Sequence, residues 1–265
     1  MLNPQSWKPT KTELWHGRWR ASRKPSEVSY GSRFITDLVV EAYGRQIRAH
    51  ATGVLADVGC GKAPYFGMYR DFVTKSIGVD WGSSLHHSDH VDIFCDLNKG
   101  IALPDDSADT VLCTDVIEHL FEPGRIWGEI ARILVPGGKA IIGVPFLYWI
   151  HEAPFDYHRY TSFALRKYAE NAGLEIEALE AVGGPLHVLV DMACKLVRQR
   201  HLKLLIGRVC RAGLSLLRQD KTRVDTSFPL HYVLVAVKPW REPDGVESGD
   251  MASTHVVLND SESRT

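Results

Sequence analysis

The sequence predicts an α/β protein: a mostly parallel sheet of seven strands with helices on both faces, and a helical insertion before the last strand. Three observations lead there. Short apolar runs at residues 54–58, 76–80, 91–97, 110–114, 139–145, 174–182 and 232–238 alternate over much of the chain with segments of helical period. Several of those runs end on an acid or open into glycine. Proline at 123 and glycine at 137 and 138 bracket a helix in the expected order, proline at its start and glycine past its end. Alternation of this kind implies parallel strands with helical crossovers, so ligands are expected at the carboxyl ends of the strands.

At 265 residues, 45% hydrophobic and 24% charged, the chain can bury a large core in one domain with appendages. A net charge of −1 gives no basic footprint for nucleic acid. Five cysteines, at 60, 95, 113, 194 and 210, are widely spaced with no C-x-x-C pair, and read as reduced packing residues. The first residues lack the apolar core of a signal peptide, and no apolar run reaches the length of a membrane span. A cytoplasmic location is the expectation.

Residues 1–27 read as an N-terminal arm in which Trp7, Trp15 and Trp19 stand among basic residues, a pattern that suits a flexible arm with its tryptophans packed on its own domain or, as the alternative, contact with an anionic partner. Phe34, Leu38, Val39, Ala42, Tyr43 and Ile47 then fall at helical spacing. The first strand stops at Asp57-Val58-Gly59-Cys60-Gly61-Lys62-Ala63, where glycine allows backbone to approach a ligand. The second ends at Gly78-Val79-Asp80, where an α/β nucleotide fold keeps the carboxylate that holds ribose hydroxyls. The third runs from Val91 to Asp96. The loop has no third glycine, and Pro64 stands where a phosphate-capturing helix would begin, so a pyrophosphate cradle is disfavoured.

Between the second and third strands, Leu85-His86-His87-Ser88-Asp89-His90 is dense in donors but lacks the spacing of rigid metal ligands, so no metal is expected. After the fourth strand comes Asp115-Val116-Ile117-Glu118-His119. A helix from Pro123 leads to Leu134-Val135-Pro136-Gly137-Gly138-Lys139, and a fifth strand follows at 139–145.

The pattern Asp57-x-Gly59-x-Gly61-x-Ala63 with Gly78-Val79-Asp80 resembles motif I and the acidic loop of class I S-adenosylmethionine-dependent methyltransferases. The Val116-Ile117-Glu118-His119 and Leu134 to Lys139 segments are similar to later signatures of that class, so the resemblance covers roughly residues 50–182. It implies a Rossmann-like seven-stranded sheet whose last strand, 232–238, is antiparallel. It also implies that Asp57, Gly59, Gly61, Asp80 and Trp81 hold the methionine and ribose parts of S-adenosylmethionine. Asp96 and Leu97 would meet the adenine, and Thr114 and His119 would complete the pocket.

Tyr148 to Thr161 is the densest titratable and aromatic cluster in the chain. His151 and His158 are the residues there able to take a proton near neutral pH. A structural reading stands beside that one, with Asp156 and Arg159 paired and Thr161 capping the next helix. The stretch His151-Glu152-Ala153-Pro154-Phe155-Asp156 through Arg159-Tyr160-Thr161 resembles a type 11 subset associated with surface-polysaccharide or natural-product biosynthesis. That implies a hydroxyl, less readily an amine, on a small-molecule or glycan-like acceptor. A non-catalytic binding module and a dinucleotide-dependent reductase on a similar sheet are the alternatives.

The methyltransferase domain is expected to span 28–240. Within it, the insertion at 183–227 carries Leu202, Leu205, Ile206 and Val209 on one helical face and Arg200, Lys203 and Arg208 on the other. It fits a lid over the substrate pocket, the preferred reading, or weak peripheral contact of residues 195–223 with an anionic membrane. Residues 241–265 turn polar and acidic and are expected to be disordered.

Overall fold

The computed structural model describes residues 1–82, 89–216 and 228–240. The expected tail at 241–265, most of the histidine-rich loop and the end of the insertion lie outside the described residues.

The chain opens with a hairpin, β1 (Thr12–Trp15) and β2 (Arg18–Ala21), turned through His16 and Gly17, both at positive φ. Helix α1 (Arg33–His50) leads into β3 (Val54–Val58), the short α2 (Phe66–Tyr69), β4 (Lys75–Asp80), β5 (Ile93–Phe94) and β6 (Ala108–Thr114). Then come α3 (Pro123–Ile133), β7 (Leu134–Pro145), α4 (Ser162–Asn171), β8 (Glu175–Val182), α5 (Pro185–Leu196), α6 (Arg200–Leu216) and β9 (His231–Val237).

Seven strands form one sheet in the order β5-β4-β3-β6-β7-β9-β8, parallel except that β9 runs antiparallel to both neighbours. Successive strand residues face opposite sides, and in the central strands both sides are apolar because helices cover both. Leu55, Leu112, Ile141, Val233 and Val235 pack with Val39, Val40, Tyr43 and Ile47 of α1. Ala56, Val58, Val111, Cys113, Ala140 and Ile142 pack with Ile126, Trp127, Ile130 and Ile133 of α3. Thr161 caps α4 as expected, its side chain accepting from Ala164 N at 3.2 Å. A side chain at Gly143 would collide with the Tyr43 ring. That absence of a Cβ lets α1 lay a phenol across β7 toward the carboxyl edge of the sheet.

Two expectations about strands need correction, and the arm at 1–27 holds an element not expected there: two-residue turn chemistry at His16-Gly17 closes a hairpin. Arg23 reinforces it with a paired contact to the buried Asp37 of α1, at 3.0 Å for each nitrogen. The third strand is only two residues long, so Asp96 and Leu97 sit in the loop beyond it. The fifth strand begins at Leu134, absorbing Pro136-Gly137-Gly138 with a register shift where Ala108 and Thr110 pair with it.

Candidate active site

A cleft of about 340 Å³ opens at the carboxyl ends of β3, β4 and β6. Every residue assigned to the cofactor from the sequence lines it: Asp57, Gly59, Gly61, Asp80, Trp81, Asp96, Leu97, Thr114 and His119. The glycine loop folds back over β4, Gly59 N and Cys60 N both donating to Val79 O at 2.8 and 3.1 Å. Gly59 has φ +74°, and a Cβ there would drive into Val116. Glycine is therefore demanded twice, by conformation and by space.

Gly61 N donates to Asp80 Oδ2 at 2.9 Å, and Trp81 N donates to Oδ1 at 2.7 Å. The carboxylate is thus fixed at the cleft wall before any ligand arrives. Trp81 stands edge-on to Phe155, centroids 5.5 Å apart, and with Leu97, Leu120 and Phe121 makes an apolar slot. An acid-anchored rim, a close-approach loop and a flat apolar slot fit a nucleoside carrying an amino-acid chain. They do not fit a pyrophosphate, because α2 is four residues long and starts after Pro64 and Tyr65.

The buried Asp57 accepts from Tyr69 OH at 2.9 Å. Burial pushes its carboxyl up to about 7, opposed by that hydrogen bond and assisted by the nearby Asp80. Asp115, at φ +54°, faces His231 with Oδ1 2.8 Å from Nε2, and Tyr43 OH donates to Oδ2 at 3.3 Å. Burial raises Asp115, but His231, through its charge and its hydrogen bond, together with Lys11 and His151, leaves the carboxyl below its ordinary range.

At the other polar corner, His119 Nδ1 lies 2.8 Å from Phe155 O, which can only accept, so Nδ1 carries the proton. Glu118 behind it is fully buried and pushed well above the usual range by burial and by Asp115.

The two histidines expected to act on the acceptor do not line the cleft. His151 packs its ring on that of His119 at 4.8 Å, and burial, followed by His119, pushes its pKa down. His158 points its Nε2 at Phe121 O, 3.4 Å away. The loop after β7 turns inward through other residues, Glu152, Phe155 and Tyr157, which do line the cleft. Asp156 and Arg159 pair through both carboxylate oxygens, at 2.6 and 2.7 Å, and Asp156 also accepts from His151 N at 2.9 Å. That guanidinium holds the Asp156 carboxyl well below its usual range against the opposing effect of burial.

Sequence reasoning missed Lys11, Tyr65 and Asp115 as cleft residues. Lys11 arrives with the hairpin. The partner of Asp115, His231, is 116 residues away, and no local pattern joins them.

Helices α5 and α6 contribute nothing to the cleft lining, so the lid expectation is not met among the described residues. Their apolar residues Leu189, Met192, Leu196, Leu202, Leu205 and Val209 are exposed instead.

Residues 56–142 match the model of the methyltransferase domain family. A Mycolicibacterium smegmatis protein named a probable S-adenosylmethionine-dependent methyltransferase is 28% identical over 132 residues, covering 46% of this chain and 51% of that protein. An uncharacterized methyltransferase of Mycobacteroides abscessus is 31% identical over 156 residues, 53% and 58% of the two chains. This chain therefore spans about half the length of the curated relatives it matches.

Among solved structures, geranyl diphosphate C-methyltransferase from Streptomyces coelicolor, in complex with S-adenosyl-L-homocysteine, superposes with TM-score 0.51 at 15% identity. That superposition covers 82% of this chain and 84% of the other. The [4+2]-cyclase SpnF gives 0.50 at 18% identity, covering 77% and 82%. At such identities these likenesses show the fold alone. The fold is thus one shared with methyltransferases, and the segment that matches the methyltransferase domain model, residues 56–142, runs from β3 through most of β7.

Proposed function

We propose that the protein transfers a methyl group from S-adenosylmethionine to a hydroxyl, less readily an amine, of a small-molecule or glycan-like acceptor. The observation that carries this is that one cleft holds two distinct sets of side chains. The first, from Asp57 to Leu97, suits the cofactor. The second, Asp115, His119, Glu152 and Tyr157, is polar and belongs to no cofactor assignment except at His119. Bound in the first set, S-adenosylmethionine supplies an electrophilic methyl group on a sulfonium.

The chain's own contribution is orientation. Asp80 and the glycine loop hold one reactant, and the loop after β7 brings the other against it, which is where most of the barrier lowering in such a displacement arises. His151 reaches the cleft only through His119, so its part is to position that ring. His158 is the weaker of the two catalytic assignments, because it is turned toward a backbone carbonyl.

The test is calorimetric titration with S-adenosylmethionine and S-adenosylhomocysteine, followed by labelled methyl transfer into a panel of hydroxylated acceptors. Folded protein that binds neither compound removes the reading. Binding of NAD(P) instead supports the reductase, and binding of S-adenosylmethionine with no turnover on any acceptor supports a binding module, or a non-transfer chemistry such as the cyclisation for which SpnF is named.

For the insertion, the exposed leucines beside the exposed Arg198, Arg200 and Arg208 support weak peripheral contact with anionic lipid over a lid. No described helix is long and apolar enough to cross a membrane.

A further inference from the structure

We propose that Glu118, His119 and His151 form a binding site for a divalent first-row transition-metal ion, Zn²⁺ in the first instance, at the polar corner of the cleft. The site is distinct from the histidine-rich segment at 85–90, whose donors lack the spacing of rigid metal ligands.

One ligand atom from each of the three residues lies within 4.8 Å of the others. His119 Nε2 and His151 Nε2 each stand 3.8 Å from Glu118 Oε1. Donors on a tetrahedral Zn²⁺ with bonds of about 2.0–2.1 Å are about 3.3 Å apart, so each histidine nitrogen needs to approach Glu118 by about half an ångström, and the whole set, within 4.8 Å, needs to tighten by no more than about 1.5 Å. Two imidazoles and a carboxylate are a donor set that zinc and its neighbours favour.

Independent of that spacing, Glu118 is 0% exposed and neither carboxylate oxygen accepts a hydrogen bond from another residue. Folded proteins rarely leave a buried carboxyl in that state, because nothing replaces the lost water. A cation between Glu118 and the two rings supplies the missing partner.

The surroundings orient both rings for the task. Phe155 O takes the Nδ1 proton of His119 and leaves Nε2 as the ligating atom. Behind His151, Asp156 Oδ2 lies 3.2 Å from Nδ1 although not aligned for a hydrogen bond, and Arg159 clamps that carboxylate. Carboxylate or carbonyl behind each ligating imidazole is the usual outer shell of a metal site. The ligands come from two separate segments, the turn after β6 and the loop after β7, and both segments are packed. Glu152 Oε2, 3.8 Å from His119 Nε2, stands at the cleft side. The fourth coordination position therefore goes to Glu152 or to an oxygen of the bound acceptor. That second role rests on the methyl-transfer reading, whereas the metal site itself does not.

The experiment uses the full chain without an affinity tag, stripped with chelator and dialysed. Co²⁺ is titrated in while visible absorption is recorded, and Zn²⁺ is then added in competition. One equivalent of Co²⁺ should develop ligand-field bands that Zn²⁺ abolishes. His151→Ala and Glu118→Gln should weaken binding at least about 100-fold. Asp156→Asn, an outer-shell change, should weaken it about 10–100-fold. His158→Ala, on the same loop but outside the cluster, should bind as the wild type does. Circular dichroism of each variant shows which ones fold, and the partly exposed His151 is the substitution least dependent on the core.

Wild type that takes up no Co²⁺ or Zn²⁺ overturns the proposal, as does undiminished binding by folded His151→Ala. Binding of S-adenosylhomocysteine without metal removes this site and leaves the methyl-transfer reading intact. Metal uptake without S-adenosylhomocysteine binding does the reverse.

Discussion

Replacing Asp57 by asparagine should make the protein more stable at alkaline pH and leave it little changed in acid. Asp57 is 3% exposed and its one side-chain hydrogen bond is from Tyr69 OH at 2.9 Å, which an asparagine oxygen also accepts. The carboxyl titrates at about 7 in the fold against 3.8 ordinarily. Between those values the folded state holds the proton that the unfolded state has released, so stability falls as pH rises through the window and is level above it. At about 1.4 kcal/mol per unit, the full displacement costs the fold about 4 kcal/mol. From pH 5 to pH 8 the cost grows by about 2.5 kcal/mol.

Asparagine carries no such charge, so the difference in stability between variant and wild type should widen by that amount over the interval. Thermal unfolding in matched buffers reads it as about 5–10 °C in Tm, at about 2–4 °C per kcal/mol for a chain of this size. Comparing the two proteins at each pH cancels the other titrating groups they share. Parallel curves, with the gap constant within about 0.5 kcal/mol from pH 5 to 8, would refute the argument that burial holds the Asp57 proton.

Asp80→Ala removes a carboxylate that the backbone has already oriented. It should weaken S-adenosylhomocysteine binding by about 1.5–3 kcal/mol, the range for hydrogen bonds to a charged group; calorimetry showing affinity within twofold of wild type would reassign the ribose site. On the α5–α6 surface, the protein should sediment with anionic vesicles at low salt and be released as salt rises, and Leu189→Asp with Leu205→Asp should abolish sedimentation. Protein that stays in the supernatant at low salt counts against lipid contact there.

That the residues assigned to the cofactor meet at one cleft is legible in the sequence because their determinants are local. Each of Gly59, Asp80, Asp96 and Thr114 lies at or just past the end of an apolar run, and parallel strands bring such ends together whatever else the chain does. Asp96 survived a mistaken strand length for that reason. The loop after β7 is less legible. The chemistry of His151 and His158 suits proton transfer, yet which side chain of a loop faces a cleft depends on the loop's path. Here the Asp156–Arg159 clamp and the backbone of Glu118, which accepts from Tyr157 N at 2.9 Å, turn Tyr157 inward and His158 outward.

Amphipathic periodicity in α6 foretold an apolar face, but periodicity does not say what that face meets, and here it is open to solvent. The hairpin did have a signal, glycine in a two-residue turn at Trp15-His16-Gly17-Arg18 with alternating flanks.

The hairpin segment also grips the glycine loop from behind. Trp7 Nε1 donates to Ala63 O at 2.9 Å and Thr12 Oγ1 donates to Pro64 O at 2.5 Å, while the Trp7 and Trp19 rings close over Gly67. The same few residues of backbone thus have an occupant on each side, the amino-terminal segment on one and the ligand on the other. Thermodynamic reciprocity then applies: whatever factor the docked segment adds to ligand affinity, the ligand adds to the docking of the segment. Removing the docked segment, whose Lys11 also lines the cleft, is therefore expected to change the affinity for a ligand bound on the other side of the loop.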